Sequence, residues 1–195
     1  MARLRIAQLG DPVLRERARE VGRDELPGLQ PFIDDLVETM REAGGAGLAA
    51  PQVSVPLRIF AVEVRDNPRY PYKPAIPLHV LVNPVVTPRS PRTFASYEGC
   101  LSIPDVRGLV QRFEEVEVQY LDRDGRPQEL VARGLSAGTF QHEADHLDGV
   151  LIVDRADPKT LTTWDEWERH HRDGWLADVA EVIAGSRVEG GARER

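Results

Sequence analysis

The chain has few of the features that would tie it to an oxidising compartment, a membrane or a nucleic acid. It has one cysteine among 195 residues and cannot form an internal disulfide, which fits a reducing cytosol. No stretch approaches the roughly 20 apolar residues of a membrane helix, and residues 1–10 lack a signal-peptide pattern. The 25 basic residues are outnumbered by 32 acidic ones, so no basic excess is available to meet phosphates. These absences predict a cytoplasmic protein with neither membrane nor nucleic acid as a direct partner.

Apolar residues are nevertheless plentiful enough for a packed core. They make up 41% of the chain, which is typical of a folded domain. A length of 195 residues suits one domain. We expect a single domain over 1–195, with its core at 1–154 and a helical tail at 155–195 that is frayed from residue 188 onward.

Hydrophobic periodicity predicts an α+β fold, with mixed or antiparallel strands around a central helix. A stripe of apolar residues predicts a helix over 30–43, and Gly44 and Gly45 are typical of its end. Alternating and β-branched stretches predict four strands, the last two joined by a turn at 122–125. These strands are expected at 57–64, 79–86, 116–120 and 128–132. Four prolines predict that 65–78 is a surface loop.

The most informative stretch is residues 141–146, which contains His-Glu-x-x-His. On a helix, His142 and His146 lie on one face and can bind the same metal ion. Glu143 follows the first ligand and can reach a water on that metal without being a ligand itself. We interpret the pattern as a centre for metal-assisted hydrolysis, and Ser136 is the expected N-cap of its helix. The alternative is an ordinary helix with two surface histidines.

Hydrolytic metal sites usually have three protein ligands, so a third ligand is expected. One class of metallopeptidase uses a third histidine further along, but the corresponding residue here is Ile152. Another class uses a downstream glutamate; the available ones, in a charged and tryptophan-rich tail, are Glu166, Glu168 and Glu181. The remaining candidate is Cys100, the single cysteine. A thiolate on a divalent metal needs no base, whereas a buried free cysteine is the common structural role.

Three segments in order resemble the motifs of the peptide deformylases. They are Gly-x-Gly-x-Ala-Ala-x-Gln at 45–52, Glu-Gly-Cys-Leu-Ser at 98–102 and Gln-His-Glu-x-Asp-His at 141–146. The resemblance implies an α+β domain with a metal-binding helix enclosed by strands. It also implies removal of the formyl group from the initiator methionine of nascent polypeptides, the N-formylmethionyl substrates of this family. The family's metal is characteristically Fe²⁺, which Zn²⁺, Ni²⁺ or Co²⁺ can replace.

The resemblance also assigns roles to individual residues. Cys100, His142 and His146 correspond to the metal ligands, and Glu143 corresponds to the catalytic glutamate. Gln52 and the backbone N–H of Leu101 match the donors to the formyl oxygen. Positions expected to contact substrate are Ala46, Gly47, Leu48, Glu98, Gly99, Arg107 and Leu135. For Arg107, an exposed charge with no such role is an equal alternative.

The chain departs from the family pattern in its pocket and in its tail. Relatives carry bulky aliphatic residues just before the motif helix, whereas Ala137, Gly138 and Thr139 are small, as is Ala46. This predicts a roomier or differently filled pocket with looser preference for methionine. Some relatives dock on the ribosome through a basic C-terminal helix, which makes the ribosome a candidate partner. Residues 155–195 carry 7 basic and 9 acidic residues, net −2, which does not favour that docking.

An apolar stripe in the tail predicts a helix that packs on the domain or on a second subunit. Its residues are Trp164, Trp167, His171, Trp175, Val179 and Val182. Two other functions compete with a deformylase. One is a metallopeptidase of another class, which would need the downstream third ligand. The other is a catalytically inactive, metal-stabilised binding protein, for which four protein ligands would be expected.

Overall fold

The computed structural model describes residues 3–65 and 70–192. Within these ranges the chain forms two antiparallel sheets and six α-helices. The strands are β1 (Gly47–Ala49), β2 (Ile59–Val64), β3 (Ile76–Pro88), β4 (Thr93–Cys100), β5 (Ile103–Phe113), β6 (Glu115–Leu121), β7 (Pro127–Arg133), β8 (Thr162–Thr163) and β9 (Arg187–Gly190). The helices are α1 (Leu26–Glu42), α2 (Leu135–Leu147), α3 (Ile152–Arg155), α4 (Trp164–His170), α5 (Arg172–Asp178) and α6 (Ala180–Gly185). The predicted α+β class is confirmed.

The two sheets enclose α2, the helix that carries His-Glu-x-x-His. The larger sheet has the order β1-β2-β3-β6-β7-β9, and the smaller one has the order β4-β5-β8. Phe140 of α2 is fully buried and lies edge-on to Phe60 of β2, with ring centroids 6.3 Å apart. β1 is the edge strand of the larger sheet beside this helix. In the described residues, no helix is long and apolar enough to span a bilayer.

The first helix is longer than its apolar stripe predicts. It begins at Leu26 because Pro27 occupies its first turn, where a proline costs no hydrogen bond. It ends as expected at the two glycines. Gly45 N donates to the Met40 carbonyl, and Gly44, with φ +63°, donates to the Arg41 carbonyl. This pair of bonds is the Schellman arrangement, and it leads the chain directly into β1.

The expectation of a surface loop over 65–78 holds for 71–75 but is wrong at Tyr70 and from Ile76 onward, and residues 66–69 lie outside the described part of the chain. Tyr70 is buried, and β3 begins at Ile76 rather than at 79. The strand also continues through Pro84 to Pro88, because Pro84 lies where the pairing register shifts between Val82 and Val85. Such a bulge interrupts the ladder, so the missing proline N–H leaves no hydrogen bond unmade.

The tail is not one helix but three short ones, and it packs on the main body of the chain as expected. Trp167, Trp175 and Val179 are buried in a cluster with Phe94 and Leu135. Fraying from residue 188 is wrong for 188–190, since β9 pairs with β7 in the larger sheet. Residues 193–195 lie outside the described part of the chain. The division into 1–154 and 155–195 stays a prediction.

The tail also supplies the N-terminal cap of α2. The cap position is Gly134, not Ser136, which lies inside the first turn and is buried. Ser186 Oγ accepts a hydrogen bond from Leu135 N at 2.8 Å. Sequence spacing could not reveal this cap because its donor and acceptor are 51 residues apart.

Gly134→Ala is expected to destabilise the fold by about 1–3 kcal/mol. Gly134 has a φ of +59°, and a Cβ there would collide with Ser186 Oγ and the Val182 carbonyl. Gly28→Ala is the matched control, because nothing lies within 4 Å of a Cβ at that helical position. That variant should gain about 0.5–1 kcal/mol. Urea unfolding measures both, and an equally stable Gly134→Ala variant would contradict the assignment of this cap.

Candidate metal centre

Two elements far apart in the chain bring together Cys100, His142 and His146. Cys100 is the last residue of β4, and the histidines lie one turn apart on α2. Their candidate ligand atoms all lie within 4.8 Å of one another, with Cys100 Sγ 3.3 Å from His146 Nε2. No other such cluster of histidine, cysteine and carboxylate groups occurs in residues 3–65 and 70–192.

The donor set fits a first-row transition metal. One thiolate and two imidazoles suit Fe²⁺, Co²⁺, Ni²⁺ or Zn²⁺, and three protein ligands leave a coordination position open. Burial opposes ionisation of the Cys100 thiol, but the neighbouring His146 and His142 outweigh burial and hold its pKa well below its ordinary value. Glu143 Oε2 is buried without a hydrogen-bond partner among the described residues. A water bound to a metal at the three ligands would supply the hydrogen-bond donor that this carboxylate oxygen lacks.

The downstream ligands of other metallopeptidase classes do not reach this cluster. Ile152 is buried at the start of α3, in an apolar group that also contains Cys100, but its side chain has no atom that could bind a metal. The tail glutamates at 166, 168 and 181 are all exposed and stand outside the ligand set. The requirement for a downstream third ligand is therefore not met within the described residues, and Cys100 occupies that position in the cluster.

A buried network of charged side chains, which the sequence did not predict, holds the ring of His142 in one orientation. Glu98 Oε2 lies 2.9 Å from His142 Nδ1, which leaves His142 Nε2 directed at the ligand cluster. Arg112 donates to both oxygens of Glu98 at 2.8 Å and to Asp145 at 2.7 Å. Arg155 closes the network on Asp145 at 2.7 Å. A carboxylate behind a ligating histidine sets its tautomer and orientation.

Glu98 was expected to contact substrate, and the structure gives its carboxylate other partners. Burial pushes the pKa of Glu98 up, but the charge and hydrogen bonds of Arg112 outweigh burial, so its pKa lies far below its ordinary value. Glu98 still lines the cavity beside the ligands. Arg112 had no signal in the sequence, since an arginine within a strand is usually an exposed residue.

Glu143 lies against β1, the strand within the first motif at 45–52. The residue is buried, and a Cβ on Gly47 would collide with its carboxylate. Position 47 therefore requires glycine because the backbone of β1 approaches this side chain directly. Burial raises the pKa of Glu143, and the adjoining histidines offset part of the increase.

Gln52 is buried beside Cys100 and is held in one orientation. Its Oε1 accepts from Ala49 N at 2.8 Å, and its Nε2 donates to Ser102 Oγ at 3.1 Å. The same Nε2 lies 3.6 Å from Cys100 Sγ. Leu101 follows the cysteine in the turn between β4 and β5 and lines the same cavity.

The cavity beside the ligands has a volume of about 50 Å³. Of the residues expected to contact substrate, all but Leu48 line it; Leu48 is buried in the core of the larger sheet. The small residues at 137–139 lie inside the first turns of α2 and not before it, because the helix begins at Leu135. The space beside them is filled by other parts of the chain. Side chains from the 70–73 segment and from the tail occupy it, namely Tyr70, Tyr72, Lys73 and Trp175.

Arg107 is buried, so the alternative of an exposed charge is wrong. Its guanidinium lies 3.9 Å from the centroid of Trp167 and 4.6 Å from that of Trp164. Its Nη2 donates to the Tyr72 hydroxyl at 3.1 Å and to the Tyr97 carbonyl at 2.9 Å. The tail tryptophans therefore pack on a cation of the main body, where cation–π attraction is strongest because water is excluded.

Comparisons with known proteins agree with this geometry. Residues 3–162 match the family model described as polypeptide deformylase. Peptide deformylase 2 of Nostoc sp. is 43% identical over 163 residues, which is 84% of this chain and 91% of that protein. A Met-Ala-Ser-bound crystal structure of class I type b peptide deformylase from Acinetobacter baumannii gives a TM-score of 0.76 at 42% identity. That match covers 79% of this chain and 98% of that one.

A second solved structure agrees. Peptide deformylase from Thermotoga maritima gives a TM-score of 0.71 at 38% identity and covers 81% of this chain and all of that one. The resemblance inferred from the three motifs is therefore confirmed. The chain belongs to the peptide deformylases, the metal-dependent hydrolases that remove the N-formyl group from nascent peptides.

Proposed function

We propose that this protein removes the formyl group from the initiator methionine of newly made polypeptides in the cytoplasm, with Glu143 as its general base. The observation that carries the proposal is a buried carboxylate, with one oxygen unpartnered among the described residues, beside a cluster of one thiolate and two imidazoles. The Acinetobacter relative is bound to Met-Ala-Ser, which supports a peptide with an amino-terminal methionine as the product here.

We assign the metal to Cys100, His142 and His146, and we propose Fe²⁺, with Zn²⁺, Ni²⁺ or Co²⁺ able to replace it. When bound, such an ion lowers the pKa of a coordinated water and polarises a carbonyl oxygen. The Glu98–Arg112 pair acts through His142 by keeping Nε2 directed at the cluster. A thiolate ligand also makes the site sensitive to oxygen, since Cys100 can be oxidised.

Glu143 takes up the proton of the attacking water at Oε2 and later delivers it to the leaving amine. Its burial raises its pKa, which makes the carboxylate a stronger base than an exposed glutamate. The carboxylate is packed against β1, so it is held in place rather than searching among rotamers. The products are formate and a free amino terminus.

Two donors stabilise the negative charge that develops on the formyl oxygen. Gln52 presents Nε2, and its amide orientation is set because Oε1 is already bonded to Ala49 N. The backbone N–H of Leu101 is the second donor. Preorganised donors of this kind lower a transition-state barrier because they need no reorientation during the reaction.

The peptide backbone pairs with the free edge of β1 and runs past Gly99 at the end of β4. β1 is an edge strand of the larger sheet, which supports the pairing. Ala46 and Leu135 then border the first side chain, and Arg107 borders the path beyond it. Because the tail is net −2 and packs on the cavity wall, direct docking on the ribosome through a basic helix is not part of this proposal.

Formate release from formyl-Met-Ala-Ser tests the proposal. The protein is purified without oxygen, stripped with a chelator and reloaded with one equivalent of Fe²⁺, Zn²⁺, Ni²⁺ or Co²⁺. We expect no turnover after stripping and the highest kcat/KM after Fe²⁺ reloading. Absence of turnover in every reloaded, folded sample would overturn the proposed function, whereas highest activity with another metal would overturn only the assignment of iron.

A further inference from the structure

A lysine reaches the cavity from outside the three motifs. Lys73 lies in the segment before β3, and its Nζ donates to Thr139 Oγ1 at 3.1 Å. Thr139 is four residues before Glu143 and therefore one helical turn from it on the same face of α2. The ammonium group thus lies in the space that small residues leave at the start of the motif helix.

Lysine is rare in this protein, which makes the position of this one informative. Only two of the 25 basic residues are lysines, Lys73 and Lys159, and the other 23 are arginines. A lysine carries a compact charge on a flexible stem, whereas an arginine needs room for a planar group. The residue is half-buried, and its charged end lies beside Thr139 in the lining of the cavity.

Lys73 has no salt bridge within the described part of the chain. No carboxylate of residues 3–65 and 70–192 forms an ion pair with it, and the nearby Glu98 is already bound by Arg112 and His142. Burial lowers the pKa of Lys73 to about 8, helped by Arg107 and opposed by Glu98 and Glu143. The side chain therefore remains mostly protonated near pH 7. A partly buried ammonium group with no ion-pair partner among the described residues favours an anionic ligand.

We propose that Lys73 is a specificity-determining residue, and that the cavity accepts N-formyl substrates whose first side chain ends in a carboxylate, in addition to methionine. The substrate carboxylate would accept a charge-assisted hydrogen bond from Nζ next to Thr139 and Ser96, which are polar and line the cavity. This inference rests on the proposed deformylase reaction and concerns only which first residue that reaction accepts.

The test compares formyl-Glu-Ala-Ser with formyl-Gln-Ala-Ser, which have the same shape and differ in charge. In the Fe²⁺-loaded full chain, we expect kcat/KM to be about 10-fold higher for glutamate than for glutamine. Lys73→Met keeps the length of the side chain without its charge and should remove that preference. Lys159→Met, at an exposed position, is the matched control and should retain it.

Formyl-Met-Ala-Ser, assayed in parallel, distinguishes a failure of the proposed role of Lys73 from a failure of the proposed deformylase reaction. If the wild type turns over formyl-Met-Ala-Ser but prefers glutamine to glutamate, or shows no preference, the proposed role of Lys73 is overturned. The deformylase reaction is then still supported. No turnover of any peptide would instead overturn the proposed function. If Lys73→Met does not fold, the wild type is tested instead for inhibition by the product peptides Glu-Ala-Ser and Gln-Ala-Ser, and stronger inhibition by Glu-Ala-Ser is expected. Weaker or equal inhibition by the glutamate peptide contradicts the proposal.

Discussion

Replacing Glu143 with glutamine should reduce kcat for formate release by about 10³-fold or more while leaving the bound metal in place. The substitution keeps the size of the side chain and removes its ability to take up a proton. Because Glu143 is buried and packed against β1, no other carboxylate can move into its position. The measurement is kcat with formyl-Met-Ala-Ser beside the metal content of the same sample.

Glu129→Gln is the control for that experiment, because it makes the same chemical change on an exposed face of β7. Its kcat should equal that of the wild type. A Glu143→Gln variant that retains one metal per chain and more than about a tenth of wild-type kcat would contradict the role of general base. Loss of metal from the variant would instead place Glu143 among the ligands.

Arg112→Met should produce the largest loss of stability among the substitutions considered. The side chain is 3% exposed and holds Glu98 and Asp145 at 2.8 and 2.7 Å. Its removal leaves the buried Glu98 without its arginine, whereas Asp145 keeps Arg155. Breaking a buried pair on one side costs about 3–5 kcal/mol. Urea unfolding of the metal-free protein measures this loss.

The same substitution should weaken metal binding by about 10–100-fold, because Glu98 would no longer hold His142 in position. Competition with a chelating dye measures this affinity. Arg92→Met is the matched control, since that arginine is 77% exposed and pairs with Glu114 at the surface. It should change stability by less than about 0.5 kcal/mol. An Arg112→Met variant as stable as this control would show that the network contributes nothing to the fold.

Much of the metal centre follows from local geometry and could be predicted. His142, Glu143 and His146 are placed relative to one another by the period of a single helix. Cys100 is the remaining ligand candidate in the sequence and matches the family motif, and its sulfur lies 3.3 Å from His146 Nε2 in the structure. The hairpin of β6 and β7 was also predictable, because strict alternation and a turn sequence set its register.

The parts that could not be predicted join residues far apart in the chain. Strand β3 was predicted too short because prolines are read as strand breakers, and only the bulge at Pro84 shows how one is accommodated. The cap of α2 comes from Ser186, and the wall of the cavity comes from the tail and from Lys73. None of these contacts has a periodic or spaced pattern to reveal it.

The residue order alone therefore indicated the family and the helix that carries the histidines, and it predicted the reacting groups. These properties depend on a few neighbouring positions whose relative geometry is set by backbone hydrogen bonding within one element. The tertiary structure decided which charges are buried with Glu98 and how the space beside the ligands is filled. Those contacts depend on how sheets and helices pack, so a side chain such as Arg112 is an ordinary strand residue in the sequence and becomes a buried cation only in the fold.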